Sequence, residues 1–117
     1  MTHPVLERRR RERDALVARA RRYGDALAQR LGVRAVVVFG SVARGDFNAW
    51  SDVDVLVIAD ELPDGGRPRL ALLHDPAFPG IEPVGWTPEE LATRSRQGDP
   101  IATEAATVGV VVLGELA

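Results

Sequence analysis

The apolar positions of this chain follow two different periods, and each period predicts a different kind of element. Within residues 6–31, apolar side chains recur three or four positions apart, as on one face of a helix: Leu16, Ala20, Tyr23, Leu27 and Leu31. This spacing predicts one long N-terminal helix. Gly32 is placed to close that helix in the left-handed conformation.

Segments rich in apolar residues mark the predicted strands, at residues 33–39, 52–59, 81–86 and 108–113. The run Val36-Val37-Val38-Phe39 contains no polar residue, which is typical of a central strand covered on both faces. Pro83 has no N–H to donate to a neighbouring strand. The third strand is therefore expected at an edge of the sheet.

Short helices are predicted between the strands, at residues 41–44, 68–74, 88–97 and 100–107. The clearest start is Thr87-Pro88-Glu89-Glu90, which has the composition of a capping box. The resulting order predicts an α/β fold with a mixed sheet of about four strands flanked by helices. We expect a single domain over residues 1–117, with the N-terminal helix at 6–31 and the core at 33–113.

Composition and charge narrow the possible chemistry. The formal net charge of -2 provides no general attraction to nucleic acid, so direct nucleic-acid binding is not expected. All 15 basic residues are Arg, which excludes a catalytic lysine, and the absence of Cys excludes thiolate chemistry and cysteine-bound zinc. Because the sequence has no long apolar run and no signal-like N-terminus, we expect a cytoplasmic protein without a membrane span. Homo-oligomerisation is left open.

A glycine-serine turn and an acidic pair carry the candidate chemistry. Gly40 and Ser41 follow the first strand, and Asp52 and Asp54 open the second. Two carboxylates two positions apart on a strand point to the same face, where their oxygens suit divalent cations such as Mg²⁺. Backbone N–H groups and a hydroxyl at the turn suit phosphate, and Arg44 offers a positive charge to the same anion. Together they describe a place for a metal-bound nucleoside triphosphate.

Two arginine features also have plainer interpretations. The charged segment 7–14 is either a binding patch or a solvated helix end with Glu/Arg pairs four residues apart, and we favour the second. Arg44 is as well placed to pair with Asp46 as to bind phosphate.

The histidines and tryptophans are assigned no part in the chemistry. His3 lies at a terminus and His74 near a turn, and neither has a companion at metal-ligand spacing. Trp50 and Trp86 are expected to pack against the protein rather than to stack on a nucleobase.

The string Gly40-Ser41-Val42-Ala43-Arg44-Gly45, followed by Ser51-Asp52-Val53-Asp54, resembles the active-site signature of the DNA polymerase beta-like nucleotidyltransferase superfamily. Within it, the chain looks like the minimal nucleotidyltransferases. The resemblance implies the nucleotidyltransferase fold and transfer of NMP, expected to be AMP from ATP. It also implies two Mg²⁺ ions held by Asp52, Asp54 and a third carboxylate. Glu82 matches that third position, where the family more commonly has Asp.

The resemblance also implies a partner. A chain of this length is not expected to contain a second, acceptor-holding domain, so the acceptor hydroxyl is expected on another protein. Minimal nucleotidyltransferases resemble the enzyme half of toxin–antitoxin pairs, which silences a HEPN-type helical protein by adenylylation. Two alternatives stay open: a non-catalytic binding or antitoxin subunit on the same fold, and an enzyme that modifies a small molecule such as an aminoglycoside.

Overall fold

The structure is a computed structural model that describes residues 3–48 and 50–116. Its helices are α1 Pro4–Ala28, α2 Gly40–Arg44, α3 Gly66–Leu73, α4 Pro88–Arg96 and α5 Pro100–Thr107. Its strands are β1 Val33–Phe39, β2 Val53–Ala59, β3 Ile81–Trp86 and β4 Val110–Gly114. The predicted order and class of elements are confirmed. The ends of the predicted domain, residues 1–2 and 117, and Ala49 of the predicted loop lie outside the described residues.

The four strands form one mixed sheet in the order β3-β2-β1-β4. β1 pairs antiparallel with β2 and β4, whereas β2 and β3 run parallel. The strand that contains Pro83 is an edge strand, as its missing N–H predicts. This order also places the acidic end of β2 between the end of β1 and the start of β3.

Side chains of the sheet alternate between two apolar layers, as the unbroken apolar runs predict. One layer lies against α1 and includes Ala20, Tyr23, Leu27, Val36, Val38, Val55 and Val57. The other lies against α5 and includes Ala35, Val37, Leu56, Ile58, Trp86, Ala102 and Ala105. Both faces of the sheet are therefore covered by closely packed apolar side chains.

The predicted end of the N-terminal helix is wrong by three residues. α1 ends at Ala28, and its C-cap Gln29 keeps a right-handed helical conformation. Gly32 does not have the left-handed conformation that was expected of it. The last carbonyls are instead satisfied in a tight final turn, in which Arg30 and Leu31 both donate to Leu27 O.

The helix starts on the second face follow the predicted capping chemistry. Thr87 Oγ1 accepts from Glu90 N while Glu90 Oε1 accepts from Thr87 N, which completes the capping box of α4. Asp99 Oδ1 accepts from Ile101 N and fixes the start of α5. None of the helices in the described residues combines the length and apolar content that a membrane span requires.

Candidate functional site

The turn after β1 and the acidic start of β2 are in direct contact. Phe39, the last residue of β1, pairs with Asp54, so Gly40 stands beside the Asp54 side chain. Gly40 has a φ of +75°, and a Cβ built there would lie 2.2 Å from Asp54 Oδ2. Only glycine fits this position, because any side chain would be strained and would also displace the carboxylate. We call Gly40 and Ser41 the glycine turn.

The structure brings the three predicted carboxylates together at one end of the sheet. Asp54 pairs in register with Glu82 of β3, and Asp52 lies just before β2. Asp52 lies close enough to Glu82 to raise the pKa of the Glu82 carboxyl. The three acidic residues therefore lie near one another, at the ends of two neighbouring strands. The third carboxylate, predicted from sequence at Glu82, is thus adjacent to the acidic pair.

The proximity of these acids changes how readily they ionise. Burial raises the pKa of Asp54, and the negative charges of Asp52 and Glu104 raise that pKa further. The hydrogen bond and charge of Asp52 raise the pKa of Glu82. Burial is the main cause of the raised pKa of Asp54, and the hydrogen bond with Asp52 is the main cause of the raised pKa of Glu82. A second cause is common to both pKa shifts, because carboxylates held close together repel one another when all are charged. A cation between them would relieve that repulsion.

The donor types at this end of the sheet fit a magnesium ion. Asp52, Asp54 and Glu82 offer carboxylate oxygens from adjacent backbone positions, which is the chemistry that Mg²⁺ prefers in proteins. Among residues 3–48 and 50–116, however, no three acidic, histidine or cysteine side chains already converge in ligand geometry. The fit is therefore one of donor type and strand placement. Holding the ion would require adjustment of the carboxylate rotamers.

The predicted phosphate ligands stand on the other side of Asp54. Ser41 is half-buried, and Arg44 is exposed at the end of α2. Arg44 Nε donates to Asp46 Oδ2 at 3.1 Å, so Arg44 makes the expected pair with Asp46. Its Nη1 also donates to Glu104 Oε1 at 2.9 Å. Arg44 is therefore close to the glycine turn but already has anionic partners.

Glu104 belongs to this site and was missed in the sequence. It lies on α5, and its Oε1 accepts from Gly40 N at 2.5 Å. The available indication was weak: Glu104 is the only charged residue in α5, whose other residues are apolar, Thr or Pro. Nothing local connects it to Gly40, because 64 positions separate the two residues in the chain.

Two arginines of α1 hold the other end of α2. Arg13 donates to the backbone carbonyls of Val42 and Ala43 at 3.0 and 3.1 Å. Arg9 donates to Phe47 O at 2.6 Å, and its guanidinium lies 4.4 Å from the centre of the Phe47 ring. In the described residues no ion pair involves α1, so the expected Glu/Arg pairs of segment 7–14 are wrong. The unpaired backbone carbonyls of α2 attract these arginines instead.

Two clefts meet at Asp54. A cleft of about 420 Å³ lies on the side of β3, lined by Asp52, Asp54, Glu82 and by apolar residues such as Leu70 and Val84. A smaller cleft of about 270 Å³ lies on the side of the glycine turn, lined by Gly40, Ser41, Arg44, Asp54 and Glu104. Asp54 lines both, so a group bound in either cleft reaches the same carboxylate.

His74 lies at this site although no role was predicted for it, and Trp50 is far more exposed than was predicted. His74, the C-cap of α3, lines the larger cleft together with the carboxylates. Its position near a turn in the sequence did not predict this location. Trp50 is 93% exposed, so the expectation that it packs against the protein is wrong. A short turn presents it, in which Trp50 N donates to Asn48 Oδ1. Trp86 is buried as expected.

Comparison with known proteins identifies the family. The family model described as "Nucleotidyltransferase domain" matches residues 20–97, which include the glycine turn, Asp52, Asp54 and Glu82. The chain belongs to the nucleotidyltransferase domain family. The predicted class of enzyme is therefore confirmed at the level of the family. Glu104 lies beyond the matched residues.

Two curated relatives match short stretches of the chain. Protein adenylyltransferase MntA of Thermococcus cleftensis is 51% identical over 37 residues, or 32% of this chain and 37% of that protein. MJ0141 of Methanocaldococcus jannaschii, by name a predicted protein adenylyltransferase, is 57% identical over 28 residues, or 24% of this chain and 28% of that protein. The matches thus span only about a third of each relative's length. They support a minimal nucleotidyltransferase.

A solved structure has the same fold. The crystal structure of a predicted nucleotidyltransferase from Sulfolobus solfataricus superimposes with a TM-score of 0.63 over 88% of this chain and 84% of that one. The two sequences are only 18% identical, so this likeness concerns the fold alone. It confirms the predicted nucleotidyltransferase fold.

Proposed function

We propose that this protein transfers an AMP group from ATP to a hydroxyl group of a partner protein. The observation that carries the proposal is the contact between Gly40 and Asp54, which joins a phosphate-binding turn to a carboxylate cluster. Two curated relatives that match part of this chain are named protein adenylyltransferases, which supports a protein as the acceptor.

In the proposed reaction, the oxygen of the acceptor hydroxyl attacks the α-phosphorus of ATP. A new phosphorus–oxygen bond forms to the acceptor, the bond to the bridging oxygen of the β-phosphate breaks, and pyrophosphate leaves with the bonding electrons. The hydroxyl proton passes to a nearby carboxylate, for which Glu82 is placed on the side of the larger cleft. No oxidant or further reactant is needed.

Each part of the site has a role in this proposal. The glycine turn and Arg44 would bind the β- and γ-phosphates through N–H, hydroxyl and guanidinium donors. Asp52, Asp54 and Glu82 would hold Mg²⁺, which when bound neutralises charge on the phosphates and the departing pyrophosphate. The raised pKa values of Asp54 and Glu82 fit a cluster that is stabilised by a cation.

The two clefts divide the substrates between them. The cleft on the side of the glycine turn would take the phosphates, and the larger cleft beside Glu82 would take the acceptor hydroxyl. Because Asp54 lines both clefts, the α-phosphorus would sit beside it, within reach of an attacking oxygen. The larger cleft is lined by exposed Leu70 and His74, which are accessible to a protein surface.

A HEPN-type helical protein is the proposed partner, as in toxin–antitoxin pairs of minimal nucleotidyltransferases. Support comes from the sequence resemblance of the glycine turn and of Ser51-Asp52-Val53-Asp54 to that group. In such a pair, the added AMP would silence the partner's activity.

The test is to incubate the protein with a co-expressed HEPN-type partner, ATP and Mg²⁺, and to measure the intact mass of the partner. We expect a mass gain of one AMP group less water. Asp52→Asn and Asp54→Asn should each abolish it, because the amide keeps the shape but loses the charge that holds the cation. Chelation of divalent cations should abolish it as well.

Asp60→Asn is the matched control. Asp60 lies just after the far end of β2, and its ion pair with Arg34 is the one it makes within the described residues. This pair is exposed, so its loss should leave transfer unchanged. Modification that persists in Asp52→Asn and Asp54→Asn would refute the assigned site. Tight binding of the partner with no mass gain would favour the non-catalytic subunit instead.

A further inference from the structure

One carboxylate oxygen accepts from two donors of the proposed phosphate site. Glu104 Oε1 accepts from Gly40 N at 2.5 Å and from Arg44 Nη1 at 2.9 Å. These are the backbone and side-chain groups that would otherwise bind phosphate. The oxygen therefore stands in the chemical position of a phosphate oxygen, although it belongs to α5 of the same chain.

We propose that Glu104 competes with the nucleotide for its binding site. Before nucleotide binds, the Glu104 carboxylate accepts hydrogen bonds from Gly40 and Arg44, and a triphosphate binds there only by displacing it. This inference rests on the proposed function, since it assumes that phosphate binds at the glycine turn. It adds a residue that sets nucleotide affinity without taking part in the chemical step.

The first argument is the number of donors. A backbone N–H carries one proton, so Gly40 cannot make a full hydrogen bond to Glu104 and to a phosphate at the same time. The Arg44 guanidinium is likewise divided between Asp46 and Glu104. A phosphate that binds to Gly40 and Arg44 in this cleft must therefore displace Glu104 from these two donors.

The second argument is charge. Glu104 lies close enough to Asp54 for its negative charge to contribute to the raised pKa of that carboxyl. A triphosphate bound beside Glu104 would add further negative charge at short distance, and like charges in contact oppose binding strongly. Displacement of Glu104 from the cleft removes that opposition.

The third argument is that the side chain can leave without moving its helix. Ala102 and Ala105 anchor α5 in the apolar layer, whereas the Glu104 side chain keeps 26% of its surface exposed. Rotation about its side-chain bonds toward solvent would break two contacts and leave the packing of α5 intact. The cost of displacement is then limited to those two contacts.

The test compares ATP binding by the wild-type protein and by Glu104→Gln, using isothermal titration calorimetry with and without Mg²⁺. Glutamine can still accept from Gly40 N through its carbonyl oxygen, so the turn is kept while the charge is removed. We expect the Kd for ATP to fall about tenfold or more. The Kd for adenosine should not change, because adenosine has no phosphate to compete.

Glu61→Gln is the matched control, since it removes one negative charge from an exposed loop residue outside both clefts. It should leave the Kd for ATP unchanged. Glu104→Ala serves as a second variant, and thermal unfolding of both Glu104 variants shows whether the fold is kept. In an amide NMR spectrum, the Gly40 resonance should shift with Glu104→Gln and, in the wild type, on addition of ATP.

An unchanged or higher Kd in both folded Glu104 variants would overturn the inference. So would a fall in kcat with an unchanged Kd, which would make Glu104 a positioning residue. These outcomes are separable from failure of the proposed function, which would appear as no AMP transfer by the wild type. Tighter ATP binding by Glu104→Gln in a protein that transfers no AMP would support the inference at the level of binding.

Discussion

The Asp54 carboxylate fills the space where a side chain at residue 40 would begin. A Cβ on Gly40 would lie 2.2 Å from Asp54 Oδ2, whereas ordinary contacts of this kind are 3.4 Å or longer. The glycine thus serves two purposes, since it permits a φ of +75° and lets a metal-binding candidate stand against the turn. The glycine turn and Asp54, the two halves of the sequence motif, can contact each other because residue 40 has no Cβ.

Gly40→Ala should therefore lower the rate of AMP transfer by more than backbone strain alone would. The new methyl group would push Asp54 by over 1 Å, and a displacement of about 1 Å can lower a catalytic rate about hundredfold. We expect a loss of that order in AMP transfer, measured as kcat/KM on the partner protein.

Gly45→Ala provides the control for strain. Gly45 has a φ of +88°, but a Cβ there would meet nothing within 4 Å. Its cost should be limited to about 1–2 kcal/mol of unfolding free energy from the left-handed backbone, with little loss of activity in the folded protein. Equal activity losses in the two variants would show that the contact with Asp54 is unimportant.

Arg13→Gln should destabilise the protein, although Arg13 lies in a segment that appears merely charged. Its guanidinium satisfies the backbone carbonyls of Val42 and Ala43, and hydrogen bonds from a charged donor contribute about 1.5–3 kcal/mol. We expect a loss of about that size in urea unfolding. Arg11→Gln, at an exposed position of the same helix, should change the unfolding free energy by less than about 0.5 kcal/mol.

The two tryptophans should respond in opposite ways to substitution. Trp86→Ala should cost about 3–5 kcal/mol, because Trp86 is 4% exposed and lies in the apolar layer against α5. Trp50→Ala should cost less than about 0.5 kcal/mol, since Trp50 is 93% exposed. Fluorescence gives an independent check: acrylamide should quench the Trp50 emission in Trp86→Phe more strongly than the Trp86 emission in Trp50→Phe.

Tyr23, the one tyrosine of the chain, predicts how the free energy of unfolding changes at alkaline pH. Burial raises the pKa of Tyr23 to about 12, and its hydroxyl donates to Leu73 O at 2.7 Å. Between pH 10 and pH 12 the unfolded chain releases this proton while the folded protein keeps it, so the free energy of unfolding falls as pH rises. The part due to Tyr23 is at most about 2–3 kcal/mol.

Ultraviolet absorbance of tyrosinate measures the titration directly, because the chain contains one Tyr. We expect a midpoint near pH 12 in the folded protein and near the ordinary value of 10.0 in urea. Tyr23→Phe should remove this component of the pH dependence of unfolding. A midpoint near 10.0 in the folded protein would show that the hydroxyl is accessible to water.

The features that could be predicted from the sequence are those that depend on short, continuous segments of the chain. The unbroken run Val36–Phe39 identified a central strand, and the spacing of Asp52 and Asp54 placed both carboxylates at its neighbour's start. The role of Glu82 was expected from the family pattern, and the structure places this residue in register with Asp54 on the neighbouring strand.

The features that escaped prediction are contacts to backbone groups made across the fold. Arg13 donates to carbonyls 29 and 30 positions away. Every residue has a backbone carbonyl, so the residue types do not show which carbonyl accepts from an arginine. Glu104 reaches the Gly40 N–H because α5 packs on β1, an arrangement that depends on the whole sheet. Local charge patterns therefore favoured the wrong partners for segment 7–14.

The five residues of α2 have consequences for hydrogen exchange. This helix is too short to be stable alone, yet its start is bound by Glu104 from α5 and its end by Arg9 and Arg13 from α1. Its Val42 is fully buried beneath α1. The Gly40 amide should exchange whenever Glu104 rotates toward solvent, whereas the rest of α2 should open only when its contacts with α1 break in a larger unfolding event. The smallest helix of the protein is then among its slowest segments to open.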